Sequence, residues 1–235
     1  IEHDIADAFP ACPTYRAWTS KMIIAKLKKR DGLTIHTVKE ALEQMLLDGI
    51  TDVIVQPTHV INGIENDQMK ADALSFRDRF SSIVFGNPLL TTEEDNQAIV
   101  RVVADEFRDM DPDTALVLMG HGTEHFANSA YSQFENMLRD LGHESTYVGT
   151  VEGFPGLDYV IRRLKIRDIK KVYVMPLMIV AGDHARNDLA GAEADSWDSI
   201  LKADGFETEV IMKGLGEIDA IAEMFVKHLK KAESL

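Results

Sequence analysis

The sequence predicts an α/β fold with parallel sheets. Short apolar runs alternate with helical patterns along nearly the whole chain, which is the pattern of consecutive βαβ units. The 235 residues are 45% hydrophobic, enough to bury one large core or the cores of two lobes. The strand candidates, in chain order, are TDVIVQP, TALVLMG, STYVGTV, KKVYVMPLMIVAG and FETEVIMKG.

Helical segments fill the intervals between these strands. The opening IEHDIADAF places apolar residues on one helical face, so we expect the given sequence to begin inside an element that a strand precedes. TVKEALEQMLLDG and TEEDNQAIVRVVADEF are amphipathic, and the second begins with a threonine cap and an acidic first turn. The helix expected after GHGTEH has an apolar stripe of Ala130, Phe134, Met137 or Leu138, and Leu141.

The turn-rich FGNPLLTTEED, residues 85–95, is the predicted boundary between two lobes, because Gly, Asn and Pro interrupt both periodicities there. We expect an N-terminal α/β lobe over residues 1–90. A C-terminal α/β lobe that carries the metal site is expected over residues 91–216. The amphipathic EIDAIAEMFVKHLKKAESL, residues 217–235, is expected to close the fold as a final helix.

Composition argues against several classes of partner. Acidic residues number 39 against 25 basic ones, a formal net charge of −14, which argues against nucleic acid and against an anionic membrane surface. The longest apolar run, residues 172–181, contains Pro176 and is too short to cross a bilayer. Because Cys12 is the single cysteine, the sequence excludes an internal disulfide and a cysteine-rich metal site. A homo-oligomer is left open.

Polar side chains follow three of the predicted strands, at the edge where parallel α/β sheets bind ligands. His121 follows ALVLMG, Glu152 follows TYVGTV, and Asp183 and His184 follow the KKVYVMPLMIVAG run. Two imidazoles and a carboxylate suit a borderline divalent ion such as Co2+, Fe2+, Ni2+ or Zn2+. The alternative that the spacing leaves open is that each histidine only caps its own strand or hydrogen-bonds locally.

The sequence assigns no single role to three further side chains. His125 either lines the same edge or packs at the start of the following helix. Glu65, in the loop after VIVQP, is by default a solvated carboxylate, and His59 precedes it without a specific signal. The remaining histidines, His228 among them, are expected at the surface.

Several common enzyme motifs are absent from the sequence. No P-loop motif occurs, so we expect no ATP or other nucleotide, and GHGTEH and GLGEID lack the third glycine of a dinucleotide fingerprint. HESTY lacks the second histidine of a zinc-protease helix, and no Gly-x-Ser-x-Gly elbow occurs. Ordinary hydrolase and nucleotide-dependent routes therefore lose support.

Six ordered sequence blocks resemble one known family. The blocks are YRAWTSKMIIAKL, VIVQPTHVINGIE, GNPLL, MGHGTEHFANSAY, VGTVEGFPGLD and MPLMIVAGDHARNDLAG followed by SW. Over nearly the whole chain they resemble the anaerobic cobalt chelatases of the CbiK type, sirohydrochlorin cobaltochelatases of the ATP-independent, ferrochelatase-like class II. The resemblance implies two similar Rossmann-like lobes with an active-site cleft between them. The family's opening strand and SFGT-like loop do not occur in the given sequence.

The resemblance also implies roles for particular residues. His121 and His184 would bind the metal, Glu152 would be a third ligand or a proton acceptor, and Glu65 would line the cleft as a further catalytic carboxylate. The side chains expected to contact the substrate are His125, Ser129 and Arg186. Some periplasmic relatives bind haem through a histidine in the loop that corresponds to HVINGIE. Gly63 or Ile64 stands at that position here, so no haem is expected, although His59 leaves that open.

The implied activity is insertion of Co2+, itself a substrate, into sirohydrochlorin in anaerobic cobalamin biosynthesis. One open alternative is an Fe2+ or Ni2+ chelatase, because imidazole and carboxylate ligands hardly discriminate among these ions. The other is a tetrapyrrole-binding or metal-binding protein without turnover. The tetrapyrrole is the expected partner, and the cytoplasm is the expected compartment, with the periplasm as the alternative.

Overall fold

The computed structural model describes residues 1–233, which form two compact units. The first unit contains Ile1–Pro88 together with the described chain from Glu223 onward, and the second contains Leu89–Ala222. The lobe limits expected at residues 90 and 216 remain a prediction. No helix among residues 1–233 combines the length and the apolar composition needed to cross a membrane.

Two pairs of short parallel strands form the sheets of the first unit. β1 (Ala17–Trp18) pairs with β2 (His36–Thr37), and β3 (Asp52–Val55) pairs with β4 (Ser82–Phe85). The helices of this unit are α1 (Glu2–Ala8), α2 (Lys21–Asp31), α3 (Val38–Leu47) and α4 (Ile64–Leu74). A buried apolar cluster joins α3, β3 and α4 into one core; its members are Val38, Leu42, Val53, Met69, Ala73, Phe76 and Phe80.

A four-stranded parallel sheet forms the second unit. Its strands are β5 (Thr114–Gly120), β6 (Thr146–Thr150), β7 (Lys171–Pro176) and β8 (Glu207–Val210), in the order β6-β5-β7-β8. The helices that accompany them are α5 (Glu93–Glu106), α6 (Ser129–Asp140), α7 (Leu157–Ile166) and α8 (Trp197–Ala203), and the described chain ends with α9 (Asp219–Glu233). Every residue of β5 is buried, because the strand has a neighbour on each side.

The predicted α/β class with parallel sheets is confirmed. The TALVLMG run forms β5, and the TEEDNQAIVRVVADEF segment forms α5. The predicted threonine cap is Thr92, whose side chain accepts a hydrogen bond from the amide of Asp95 while the Asp95 carboxylate accepts one from the Thr92 amide. In α6 the predicted stripe is right at Phe134 and Leu138, both buried.

Some expectations about local structure are wrong. The KKVYVMPLMIVAG run is a strand only as far as Pro176, because Met178 and Ile179 then accept hydrogen bonds from the segment 215–216 instead of continuing a ladder. β4 was not predicted, since its four residues are only partly buried and carry a weak pattern. His228 is 7% exposed rather than on the surface, and its Nδ1 lies 3.0 Å from the carbonyl oxygen of Asn87.

Candidate active site

The carboxyl ends of β5, β6 and β7 lie side by side in register. Gly120 of β5 pairs with Thr150 of β6, and Met119 pairs with Pro176 of β7. Backbone pairing continues one step beyond the strands, because the amide of Glu152 donates to the carbonyl oxygen of His121 at 2.8 Å. The loops that follow the three strands therefore leave the sheet from one edge, as the strand-end argument requires.

His121 and His184 meet at this edge although 63 residues separate them in the chain. Their Nε2 atoms lie 3.1 Å apart, and their ring planes cross at 87° with centroids 4.5 Å apart. The two side chains are 44% and 43% exposed, so a ligand can reach them. The structure thus brings the two predicted metal ligands together at the atoms through which imidazoles coordinate.

Hydrogen-bond partners assign the tautomers of both rings. His121 Nδ1 lies 3.0 Å from the carbonyl oxygen of Gly122, which can only accept, so this nitrogen carries the hydrogen. His184 Nδ1 lies 2.5 Å from a carboxylate oxygen of Asp188, which also accepts. With this assignment the Nε2 atoms of the neutral rings, 3.1 Å apart, both carry lone pairs. A shared cation satisfies both.

The separation of the two nitrogens also fits a shared metal ion. Nitrogens that each lie about 2.1 Å from one ion stand roughly 3.0 to 3.4 Å apart when the N–metal–N angle is between about 90° and 109°. The observed 3.1 Å falls in this interval. His121 and His184 can therefore occupy adjacent coordination positions without moving.

Glu152, the predicted third ligand, lies on the other side of the His121 ring. Its Oε2 atom is 3.9 Å from His121 Nδ1, and the side chain is 63% exposed. Among residues 1–233, no group of three or more His, Cys, Asp and Glu side chains has the arrangement of a metal site. A ligating role for Glu152 stays a prediction, and so does its role as a proton acceptor.

Two glycines make the turn at His121 sterically feasible. A side chain on Gly120 would place its Cβ 2.4 Å from the buried ring of Tyr131. Gly122 has a φ of +81°, and a Cβ there would lie 2.8 Å from the carbonyl oxygen of Glu152. Glycine at 120 therefore makes room for Tyr131 of α6, and glycine at 122 lets the loop after β5 lie against the loop after β6.

The buried ring of Tyr131 packs against the same turn, at Gly120. The ring is 2% exposed, and its hydroxyl lies near the backbone amides of Gly122 and His121. Burial raises the pKa of Tyr131 to about 12, and those two amides offset part of the effect. A neutral hydroxyl in the core thus anchors the backbone that carries His121.

The predicted substrate-contacting residues lie on the loops after β5 and β7. His125 caps a 3-10 turn, Phe126–Asn128, and its Nδ1 accepts a hydrogen bond from the amide of Ala127. Ser129 is exposed at the first position of α6. Arg186 is exposed on a π-helical turn, Ala185–Leu189, that begins directly after His184. Their contacts with a substrate stay predictions.

Glu65 belongs to the first unit, at the start of α4. Its Oε2 atom lies 3.8 Å from Nε2 of His59, and the Glu65 side chain is 63% exposed. Burial lowers the pKa of His59, while the charge of Glu65 and the side chain of Asn66 act in the opposite direction. His59, which had no sequence signal, is therefore the neighbour of the predicted carboxylate.

Sequence reasoning missed Asp188, the residue that orients His184. The two side chains are four positions apart, and the π-helical turn between them places both on one face. A carboxylate that accepts from a ligating histidine is a recurrent feature of metal sites. The signal was present as H-A-R-N-D, but it becomes visible only once residues 184–189 are assigned to a helical turn.

Comparison with known proteins decides the family. A model of the cobalt chelatase (CbiK) family matches residues 1–234. The chain belongs to the cobalt chelatase (CbiK) family. The sirohydrochlorin cobaltochelatase of Salmonella typhimurium is 37% identical to this chelatase over 231 residues, which cover 98% of this chain and 87% of the relative. The sirohydrochlorin cobaltochelatase CbiKC of Nitratidesulfovibrio vulgaris is 32% identical over 241 residues, with coverages of 100% and 83%. The predicted family resemblance is confirmed.

Solved structures share the chelatase fold. SirB from Bacillus subtilis, solved with Fe3+, superposes with a TM-score of 0.65 at 14% identity, covering 98% of this chelatase and 87% of that chain. DR2241 from Deinococcus radiodurans, a multi-domain protein with structural similarity to chelatases, superposes with a TM-score of 0.54 at 16% identity. The superposition covers 92% of this chelatase and 52% of DR2241. At these identities the likeness establishes the fold alone.

Proposed function

We propose that this cobalt chelatase inserts Co2+ into sirohydrochlorin without ATP, and that His121 and His184 hold the incoming ion. The single observation that carries the assignment of the site is the pair of Nε2 atoms, 3.1 Å apart, at the edge where β5 and β7 end. The names of the two curated relatives supply the tetrapyrrole and the metal. The lack of a P-loop motif supports an ATP-independent route.

The histidine pair suits an ion that must be given up again. Neutral imidazoles bind Co2+ without adding negative charge, so the complex stays weak enough for ring nitrogens to displace the protein ligands. Asp188 stabilises the orientation of His184 through Nδ1, and the carbonyl of Gly122 does the same for His121. The pair is thus oriented before the ion arrives.

Metal insertion also releases two pyrrole N–H protons, which need acceptors. Glu152 is exposed next to the His121 ring, so we assign it the first acceptor role. Glu65 is the second acceptor, and it lies beside the buried His59 imidazole. The carboxylate of Glu152, beside the His121 ring, also offsets the charge of the divalent ion.

Sirohydrochlorin carries many carboxylates at its periphery, and this acidic protein needs local donors for them. Arg186 has no ion-pair partner within residues 1–233, and it stands two positions after His184. Ser129, at the start of α6, offers a hydroxyl beside the amides of a helix N-terminus. We assign these two side chains, with His125, to the carboxylate periphery.

The test is anaerobic mixing of the enzyme, sirohydrochlorin and Co2+ while the absorption spectrum of the macrocycle is followed. We expect metallated product in excess of the enzyme, and a rate lower by about 100-fold or more in His121→Ala and His184→Ala, because each removes a ligand. His143→Ala is the matched control, since this histidine lies just before β6 at the opposite edge of the sheet. A wild-type rate equal to that of the enzyme-free mixture would refute the chelatase assignment, and product limited to one equivalent of enzyme would indicate a carrier.

A second measurement tests the roles of the two carboxylates, Glu152 and Glu65. If Glu152 accepts protons, Glu152→Gln slows insertion and leaves the Co2+ affinity unchanged; if it is a third ligand, the affinity also falls. Glu65→Gln is expected to slow insertion with the affinity unchanged. Full activity in both variants would remove the carboxylates from the mechanism.

A further inference from the structure

Three large apolar side chains are exposed on the loops that leave the edge of the sheet at the histidine pair. Phe126 is 83% exposed, Phe154 is 65% exposed, and Val180 is 70% exposed. Phe126 follows β5, Phe154 follows β6, and Val180 follows β7. The same three loops carry His121, Glu152 and His184, so apolar and polar groups alternate around one edge.

These side chains belong to loops that hydrogen bonds hold in place. Asn128 accepts from the amide of Thr123 at 3.0 Å and donates to the carbonyl oxygen of Phe154 at 2.6 Å, which ties the loop after β5 to the loop after β6. The carbonyl of Pro155 accepts from both the amide and the hydroxyl of Thr150. The exposure of Phe126 and Phe154 therefore belongs to ordered backbone.

The third loop is held in the same way. The amides of Leu215 and Gly216 donate to the carbonyls of Met178 and Ile179 at 2.8 and 2.9 Å. A side chain on Gly214 would place its Cβ 2.5 Å from the Ile179 carbonyl oxygen, so the two segments lie in close contact. Val180 is thus exposed although the backbone on its N-terminal side is anchored.

Ring contacts orient the two phenylalanines. The Phe126 ring lies 4.1 Å from the His125 ring between centroids, at 38°, and the Phe154 ring lies 5.0 Å from Tyr159 at 54°. Each exposed ring therefore rests on a second aromatic ring behind it. Such backed rings offer flat apolar surface at a small cost in side-chain entropy when a ligand covers them.

We propose that Phe126, Phe154 and Val180 form an apolar rim that binds one face of the tetrapyrrole macrocycle and holds it over the histidine pair. The inference rests on the proposed function, since it names the residues that position that substrate. A tetrapyrrole has flat apolar faces and a charged periphery, which matches apolar side chains around a polar centre with Arg186 nearby. Exposed apolar groups concentrated at a ligand site are otherwise unfavourable in water.

The test measures equilibrium binding of metal-free sirohydrochlorin, without cobalt, by absorption titration. The double variant Phe126→Ser/Phe154→Ser is expected to bind the macrocycle about tenfold more weakly, because two apolar contacts are lost. Its Co2+ affinity should equal that of the wild type, since the histidine pair is intact. Phe154→Leu, which keeps an apolar side chain, should recover much of the affinity lost in Phe154→Ser.

The matched control is Leu141→Ser/Ile166→Ser. These two side chains are 48% and 84% exposed, and they follow or end helices at the opposite edge of the same sheet. Unchanged macrocycle affinity in the rim variant, or equal losses in rim and control variants, would overturn the rim. A rim variant that changes only the oligomeric state would overturn it as well, in favour of contact between copies. If the wild type binds the macrocycle through the rim but inserts no cobalt, the proposed function fails and the rim stands.

Discussion

The two units hold their proposed functional side chains in different ways. In the second unit, His121 follows a strand whose seven residues are all buried, and both imidazoles have a hydrogen-bond partner at Nδ1. In the first unit, Glu65 is exposed at a helix start, and the longest strands have four residues. A metal pair depends on the placement of two atoms within fractions of an ångström, whereas a proton acceptor tolerates a looser frame. The difference in burial follows that difference in task.

A buried ion-pair cluster also distinguishes the second unit from the first. In the second unit, Glu135 is buried with both Arg139 and Arg163 at 2.6 Å, and it also accepts from the amide of Val148. In the first unit, the buried Nδ1 of His59 and Oδ1 of Asn66 have no hydrogen bond of good geometry among the described residues. The second unit also holds buried polar atoms without a partner among the described residues, at Asn96, Arg139 and Tyr147, so the contrast between the units lies in this ion-pair cluster alone.

The largest expected effect comes from breaking the ion-pair cluster of Glu135. Glu135→Ala leaves two arginines and an amide without their shared carboxylate, and we expect the free energy of unfolding to fall by about 3 to 5 kcal/mol. Urea unfolding followed by circular dichroism measures it. Glu144→Ala removes an exposed partner of Arg167 and should cost no more than about 1 kcal/mol. Equal costs for the two variants would show that the ion-pair cluster does not stabilise the second unit.

An intermediate effect is expected at the support of the histidine pair. Asp188→Ala removes the acceptor at His184 Nδ1, so the ring loses its preferred tautomer and orientation, and the Co2+ affinity should fall by about 10 to 100-fold. Isothermal titration with Co2+ measures the affinity, and the stability should change little. Asp195→Ala, at an exposed carboxylate in the next loop, is the control. An unchanged affinity in Asp188→Ala would mean that the histidine pair orients itself without the carboxylate.

The smallest expected effect concerns the first unit and depends on pH. Because burial lowers the pKa of His59 below its ordinary value of 6.5, the unfolded chain binds its proton more readily than the folded chain does. The contribution of this residue to stability is therefore full above pH 6.5 and is lost as the pH falls towards the lowered pKa. The loss amounts to about 1.4 kcal/mol for each pH unit by which the pKa is lowered.

Unfolding curves at pH 7.5 and pH 5.5 for the wild type and His59→Gln measure this difference. The wild type should lose more stability than the variant between the two conditions, because only the wild type protonates a buried ring. The same loss in both proteins would assign the pH dependence to other groups, and a larger loss in the variant would reverse the sign.

Sequence patterns were sufficient where one physical effect dominates. The β5 run is apolar throughout because both of its neighbours are strands, and Thr92 with Asp95 caps α5 through local hydrogen bonds alone. The strand-end rule predicts His121 and His184 at one edge of the sheet, because the carboxyl ends of parallel strands lie side by side.

The remaining features depend on contacts between distant parts of the chain. β7 ends at Pro176 because the segment 215–216 takes the hydrogen bonds of the following loop. Asp188 reaches His184 across a helical turn that the sequence did not predict after the KKVYVMPLMIVAG run, so their i,i+4 spacing carried no signal. His228 is buried, and its Nδ1 is hydrogen-bonded to a backbone carbonyl oxygen 141 positions away, which spacing along α9 does not reveal.

Asn128 joins two loops with one side chain, since its oxygen accepts from Thr123 and its nitrogen donates to Phe154. The two loops are therefore linked by one side chain, with the imidazole of His121 on the first loop and the ring of Phe154 on the second. A displacement of the Phe154 ring would be transmitted through the Nδ2, Cγ and Oδ1 atoms of this amide to the loop that carries His121. Contact of a macrocycle with Phe154 and the orientation of the His121 ring are thus coupled through the side chain of Asn128.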